Sequence, residues 1–158
     1  MLAKATKEIP EGTYLYEPKW DGFRCIVFRD GDEVVLGSRN EKPLTRYFPE
    51  LIDPIRASLP QRCVLDGELV VPGADGLEFD LLQQRIHPAE SRVQMLASTT
   101  PAHLVVFDLI ALDDLDLTVL PLRDRRATLE RLLDGVEPPK RPRLALVPFR
   151  ERVHAAVL

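Results

Sequence analysis

Alternation of apolar and polar positions organises the first half of the chain. "FRCIVFRD" and "EVVLGSR" are two β-branched, apolar runs joined by Asp30-Gly31-Asp32, a combination that predicts a β-hairpin with Arg24 and Arg39 near its open end. In "LTRYFPELIDPIRASLP", Leu51, Ile52, Ile55 and Leu59 recur at helical spacing behind Pro49. Pro54 limits the result to a short or kinked helix. "CVLDGELVV" predicts a strand closed by "PGADG", with Glu68 at its start. "FDLLQQRI" and "ESRVQMLAS" suit two short helices separated by His87-Pro88. The near-continuous apolar run "HLVVFDLIAL" has the length of a buried strand. "PLRDRRATLERLLDG" starts with Pro121, sets Leu122, Leu129, Leu132 and Leu133 on one face and stops at Gly135, as a capped amphipathic helix does. Beyond it, "VEPPKRPR" predicts a loop, "LALVPF" a strand, and "RERVHAAVL" a helical pattern that breaks off at Leu158.

Composition narrows this to one domain, or part of one. The chain has 158 residues, 45% hydrophobic and 29% charged, enough for a single core and too few for two. No apolar stretch approaches the roughly 20 residues of a membrane span, and the N-terminus lacks the apolar segment of a secretory signal, so the expected place is the cytoplasm. A net charge of −4 excludes a protein that coats nucleic acid through an overall positive field; any such contact must be a local patch. Cys25 and Cys63 have neither Cys-x-x-Cys spacing nor neighbouring histidines, which predicts two buried free thiols. His87 and His103 lack a carboxylate at suggestive spacing and are read as structural.

Candidate chemistry begins at "YEPKWDGFR". A lysine is almost fully protonated at neutral pH, so a nucleophilic Lys19 must be desolvated or set near other cations. Trp20 and Phe23 are available to exclude water, and Arg24 and Arg39 to supply charge that would also offset a polyphosphate. Gly22 would let a backbone approach that polyphosphate closely. A surface lysine beside a hairpin turn explains the same residues. Glu68 in "VLDGELVV" suits ribose hydroxyls or a magnesium ion, and equally a strand-edge charge. Phe107 fits the buried core as well as a base-stacking role.

The order of segments separates these readings. From "MLA" through "YEPKWDGFR", "GSRN", "YFPEL", "VLDGELV", "FDLLQQR", "FDLIAL" and "PLRDRRATLERLL", the chain resembles the ATP-dependent DNA ligases, in particular the compact bacterial kind associated with end joining. The resemblance implies an α+β nucleotidyltransferase (ATP-grasp-like) fold, with twisted antiparallel sheets flanked by helices and ATP between them. It implies that Lys19 attacks the α-phosphate of ATP to give a lysyl-AMP, that AMP passes to the 5′-phosphate at a nick or break in double-stranded DNA, and that the strand is then sealed. By the same resemblance Glu17 touches adenine, and Arg24 and Arg39 hold ribose and phosphate groups, with Arg39 also near the 5′-phosphate of the nick. Glu68 binds ribose and helps place Mg²⁺ or Mn²⁺, and Phe107 stacks on adenine. Asp21 and Asp66 stand at motif positions and are read mainly as turn-forming. Partners implied for the full-length enzyme are DNA and end-joining repair proteins, with no membrane.

The match also breaks. The family's downstream Glu-Gly followed by a lysine, and its strand with two lysines one residue apart, have no counterpart, since only Lys140 follows Lys42. Residues 1–158 therefore match part of an adenylation domain, incomplete at the C-terminus and without the OB-fold that clamps DNA. Weak or absent self-adenylation is expected of this chain alone. RNA ligases and messenger-capping guanylyltransferases share the lysine motif, and a non-catalytic nucleotide-binding remnant is the remaining alternative.

Overall fold

The computed structural model describes residue 7, residues 16–135 and residues 143–146. The chain forms two compact units, one of residues 1–19 with 148–158 and the other of residues 20–147. Of the first, the described segment 16–19 is exposed at Glu17, Pro18 and Lys19. "RERVHAAVL", the end of "LALVPF" and almost all of "VEPPKRPR" lie outside the described residues.

The second unit is built on a six-stranded sheet. Strands β1 (Phe23–Asp30), β2 (Glu33–Ser38), β3 (Arg62–Val70), β4 (His103–Leu112) and β5 (Leu115–Asp116) lie in the order β2-β1-β3-β4-β5, all antiparallel. β6 (Leu144–Leu146) adds to β4 in parallel. The α+β class holds. The described residues contain this one mixed sheet in place of several antiparallel ones.

The hairpin forms as its pattern requires: Asp30 pairs with Glu33, so Gly31-Asp32 is a two-residue turn, and Gly31 sits at φ +60°, where a side chain is disfavoured. Alternation then sorts the two faces. Cys25, Val27, Leu36, Leu65, Leu69, Leu104, Val106 and Leu109 are buried in the main core. Arg24, Glu68, Val70 and Val105 stand on the opposite face, where Val70 and Val105 form a second, small cluster.

Helices cover the core face. Two short 3₁₀ turns, Thr45–Tyr47 and Pro49–Leu51, lead into α1 (Ile52–Ser58). Pro54 falls in the first turn of α1, where its missing N–H has no intrahelical partner to lose, so the helix starts there instead of kinking. At the other end, the buried Arg29 of β1 donates to the carbonyls of Ile55, Arg56 and Leu59, satisfying groups that α1 leaves open. α2 (Phe79–Gln83) and α3 (Glu90–Thr99) follow as predicted. In α4 (Leu122–Asp134), Leu129 and Leu133 are fully buried, each contributing about 1.5–3 kcal/mol of apolar burial. Two details differ from the expected caps: Pro121 precedes the helix as its N-cap, and Gly135 keeps a right-handed backbone at φ −70°.

Arg85, just past α2, ties the two 3₁₀ turns to the end of α3. Its guanidinium, wholly buried, forks onto Glu50 (2.6 and 2.9 Å), donates to the carbonyl of Tyr47 (2.6 Å), and lies 5.0 Å from the ring centroid of Phe48. Glu50 in turn accepts the N–H of Ala102 at 2.9 Å.

Cys25 and Cys63 are free and buried, as expected. Burial pushes the Cys25 thiol up to about 12 and the Cys63 thiol to about 11. Neither should react with a thiol-exchange reagent at pH 8 in the native chain, and both should react once urea unfolds it. Because the unfolded thiols ionise near 8.5 and the folded ones do not, the unfolded state releases protons first, so stability should fall as pH rises from about 9. Rapid native labelling at pH 8 would contradict this assignment.

Candidate functional site

Three strands bring the chemistry to the face of the sheet opposite the main core. Arg24 on β1 lies directly opposite Glu68 on β3, and Glu68 opposite Val105 on β4. Glu68 is the seventh residue of its nine-residue strand, not at the start, because β3 begins upstream at Arg62. Phe107 reaches the same face through an irregularity. The β3–β4 register runs from Asp66↔Asp108 to Gly67↔Val106, so Phe107 is an extra residue, a β-bulge in β4. Its half-buried ring packs with Trp20 and Leu77 on the Val70–Val105 cluster, and the Arg24 guanidinium stands 5.8 Å from the ring centroid. This is a cation–π distance.

Asp66 corrects the turn-forming expectation. It lies in the middle of β3, nearly fully buried, and receives a fork from Arg24: Nε to Oδ1 at 3.0 Å and Nη2 to Oδ2 at 2.5 Å. The hydrogen bond to Asp66 is the main cause holding the Arg24 guanidinium above its ordinary pKa; burial opposes it, and the charges of Asp66, Glu68 and Asp108 add to it. Arg24 is thus fixed in place from below. The signal was in the sequence: in a strand, Asp66 shares a face with Glu68 by period two.

Gly22 also serves the packing of the sheet. A Cβ there would meet the carbonyl oxygen of Leu69 at 2.3 Å, so its lack of a side chain serves the close approach of β3.

At the open end of the hairpin a cleft of about 570 Å³ is lined by Arg24, Arg39, Lys42, Gly22, Tyr47 and others. Arg39 and Lys42 are exposed, and the three cations face one space. Lys42 was not singled out by its motif; it follows Glu41, whose φ of 59° marks the tight turn after β2. Such a cleft suits an anion carrying several charges.

Lys19 and Glu17 belong to the other compact unit, and both are exposed. Trp20 and Phe23, named above as available to exclude water, lie in the sheet unit. Both rings are committed to packing within the sheet unit, Trp20 on the Val70–Val105 cluster and Phe23 edge-on to Phe79 at 5.7 Å. Burial lowers the His103 pKa, and His87 Nδ1 accepts the N–H of Ala89.

Among the described residues no three acidic, His or Cys side chains gather as a cage for a cation. Glu68 supplies one carboxylate on the face opposite the main core, which fits a magnesium-like ion held by one or two carboxylates and completed by substrate phosphates and water.

Comparison with known proteins shows the family. Residues 1–151 match the family model described as ATP dependent DNA ligase domain. DNA ligase C of Mycobacterium tuberculosis (strain ATCC 25618 / H37Rv) is 61% identical over 135 residues, covering 85% of this chain and 37% of that protein. DNA ligase C2 of Mycolicibacterium smegmatis (strain ATCC 700084 / mc(2)155) is 56% identical over 138 residues, covering 87% and 39%. Among solved structures, the ligase domain of M. tuberculosis LigD superposes with a TM-score of 0.64 at 27% identity, over 85% of this chain and 40% of that one. Mycobacterial DNA ligase D complexed with ATP and MES gives 0.60 at 28% identity, covering 85% and 39%. The chain spans about two-fifths of the length of these relatives.

Proposed function

The chain belongs to the ATP-dependent DNA ligase domain family, and from that premise we propose that it carries the nucleotide-binding and lysine-adenylating part of a DNA ligase. Arg24, Glu68 and Phe107 on one face of three neighbouring strands are the observation that carries this reading. A flat aromatic, a carboxylate and a cation in that order suit a base, a ribose and a phosphate.

In the proposed reaction the Lys19 amine attacks the α-phosphorus of ATP. A P–N bond forms, the bond to the β-phosphate oxygen breaks and pyrophosphate leaves, while the amine gives up its protons to solvent. AMP then passes from Lys19 to the 5′-phosphate of nicked DNA. Attack by the 3′-hydroxyl seals the strand and releases AMP. Phe107 stacks on adenine, Glu17 contacts its edge, and Glu68 accepts hydrogen bonds from ribose. Arg24 and Arg39 neutralise phosphate charge, with Arg39 serving the DNA 5′-phosphate. Positioning and charge neutralisation dominate such transfers, and the fork that Arg24 donates to Asp66 supports this by holding Arg24 ready without reorganisation. The family implies a divalent metal; Mg²⁺ or Mn²⁺ is proposed, held by Glu68 with the nucleotide's phosphates, and would offset phosphate charge.

The substrate of the whole protein is taken to be nicked or broken duplex DNA, and its setting bacterial end-joining repair in the cytoplasm. No helix among the described residues is long and apolar enough to cross a membrane, and two unpaired cysteines fit a reducing compartment.

Incubation with ATP labelled at the α-phosphate tests the reading. The expected result is metal-dependent retention of label well below one AMP per chain, since the sequence has only Lys140 beyond Lys42 to grip the α-phosphate. The retained label should be acid-labile, as a phosphoramidate is, with none from the γ-phosphate and less from GTP. Preference for GTP would favour the capping enzymes, equal retention from the γ-label would exclude adenylation, and near-stoichiometric labelling would overturn the expected slowness.

A further inference from the structure

Phe107 occupies a position that strand geometry alone does not hold. As the extra residue of a bulge it lies outside the β3–β4 register, and a bulged strand has a local bend and twist that its surroundings must set. The surroundings here come from α4. Arg125 forks onto Asp108, the residue next to Phe107, with Nε to Oδ1 at 2.8 Å and Nη2 to Oδ2 at 2.7 Å. The same guanidinium donates through Nη1 to the carbonyl of Leu120 at 2.7 Å, which ties the fork to the start of the helix. Asp108 Oδ1 also accepts the N–H of Leu109 at 2.9 Å, so the carboxylate braces the backbone just beyond the bulge. Arg126, buried and ion-paired with Glu130 at 3.0 Å, donates to the carbonyl of Phe107 itself at 3.4 Å.

Two consecutive arginines of one helix therefore grip two consecutive residues of one bulge. Asp108 is buried and the Arg125 side chain is mostly so, which makes the fork a rigid link and not a solvated surface pair. The hydrogen bond to Asp108 is also the main cause that raises the Arg125 pKa, with burial opposing it. The register sets Asp108 opposite Asp66, and Asp66 holds Arg24, whose guanidinium faces the Phe107 ring. The ring and the cation in front of it are braced by two parallel arginine–aspartate forks.

We propose that Arg125 is a positioning residue for Phe107: its fork on Asp108 fixes the bulge that presents the ring to an adenine base. This rests on the reading above, in which Phe107 stacks on adenine. A tie serving only to dock α4 would act on stability alone; a positioning tie acts on the base and leaves the phosphates alone.

The experiment compares the binding of ATP and of inorganic tripolyphosphate, which has the charges without the base. Trp20 is the chain's one tryptophan and packs in the same cluster as Phe107, so its fluorescence, checked by calorimetry, reports binding. Phe107→Ala should weaken ATP on the order of tenfold, the scale of one base–aromatic stack, with tripolyphosphate unchanged. Arg125→Gln should weaken ATP roughly threefold to tenfold within that same stacking contribution, again sparing tripolyphosphate, and Arg125→Lys should recover part of the loss. If Arg125→Gln does not fold, Arg125→Lys must show the same split at smaller size.

An Arg125 variant that binds ATP as the parent does while Phe107→Ala loses affinity overturns the positioning role alone. So does a parallel loss of both ligands. An unchanged ATP affinity in Phe107→Ala overturns the stacking reading beneath it, and a parent chain that binds no ATP overturns both.

Discussion

Lys19→Ala should retain α-phosphate label only at background while unfolding within about 2 °C of the parent chain. The two halves of this result have separate causes. Adenylation needs an amine that can form a P–N bond, and alanine has none. Arginine at this position should fail equally, because its guanidinium stays protonated above pH 12 and is a poor nucleophile. Stability should hold because Lys19 is exposed, and exposed positions away from caps and buried pairs change folding by about 0.5 kcal/mol or less. Phosphate gel shift after mild base and heat-unfolding by circular dichroism read the two effects on one preparation. Undiminished label on Lys19→Ala would place the nucleophile elsewhere.

Arg85→Ala should lower the unfolding free energy by about 3–5 kcal/mol, the cost of leaving a buried charge without its partner. Glu50 would lose both of its arginine hydrogen bonds, and the Tyr47 carbonyl its donor. For a chain of this size the loss corresponds to roughly 6–20 °C in melting temperature. Glu50→Ala should cost a similar amount, since it strands the guanidinium and the Ala102 N–H together. The double variant Arg85→Met/Glu50→Leu removes both charges and should recover part of the loss, not all, because the backbone groups at Tyr47 and Ala102 remain unpaired. Urea unfolding of the parent, Arg85→Ala, Glu50→Ala and the combined Arg85→Ala/Glu50→Ala forms a double-mutant cycle. Additive losses would mean that the pair is not coupled, contrary to its geometry.

These two residues mark opposite ends of what motif reading can see. Lys19 stood out because its neighbours Asp21-Gly22 and Arg24 form a compact pattern in the chain. Arg85 stood out in no pattern: "FDLLQQR" predicts a helix ending in a polar residue, and a polar residue at a helix end is ordinarily solvated. Its burial depends on Glu50, 35 positions away, and on the Phe48 ring it lies against. The same holds for Arg29, which alternation places on the core face of β1 but whose acceptors lie at the end of α1. Expectations built on local chemistry failed where tertiary contacts reassigned a residue. Asp66, read as turn-forming beside a glycine, became the buried partner of Arg24 because β3 runs straight through it.

The order of strands and helices, the hairpin at Gly31, the buried run of β4, the amphipathic α4 and the family itself were all determined by the chain's own pattern. Each depends on the spacing of residues close in sequence, where backbone periodicity translates directly into a face or a turn. Only the tertiary structure decided which charges pair, that Phe107 sits on a bulge, and that two arginine–aspartate forks stand side by side behind it. Those features join residues 17 to 42 positions apart, and their free energy arises from burial and geometry that exist only after the strands have met.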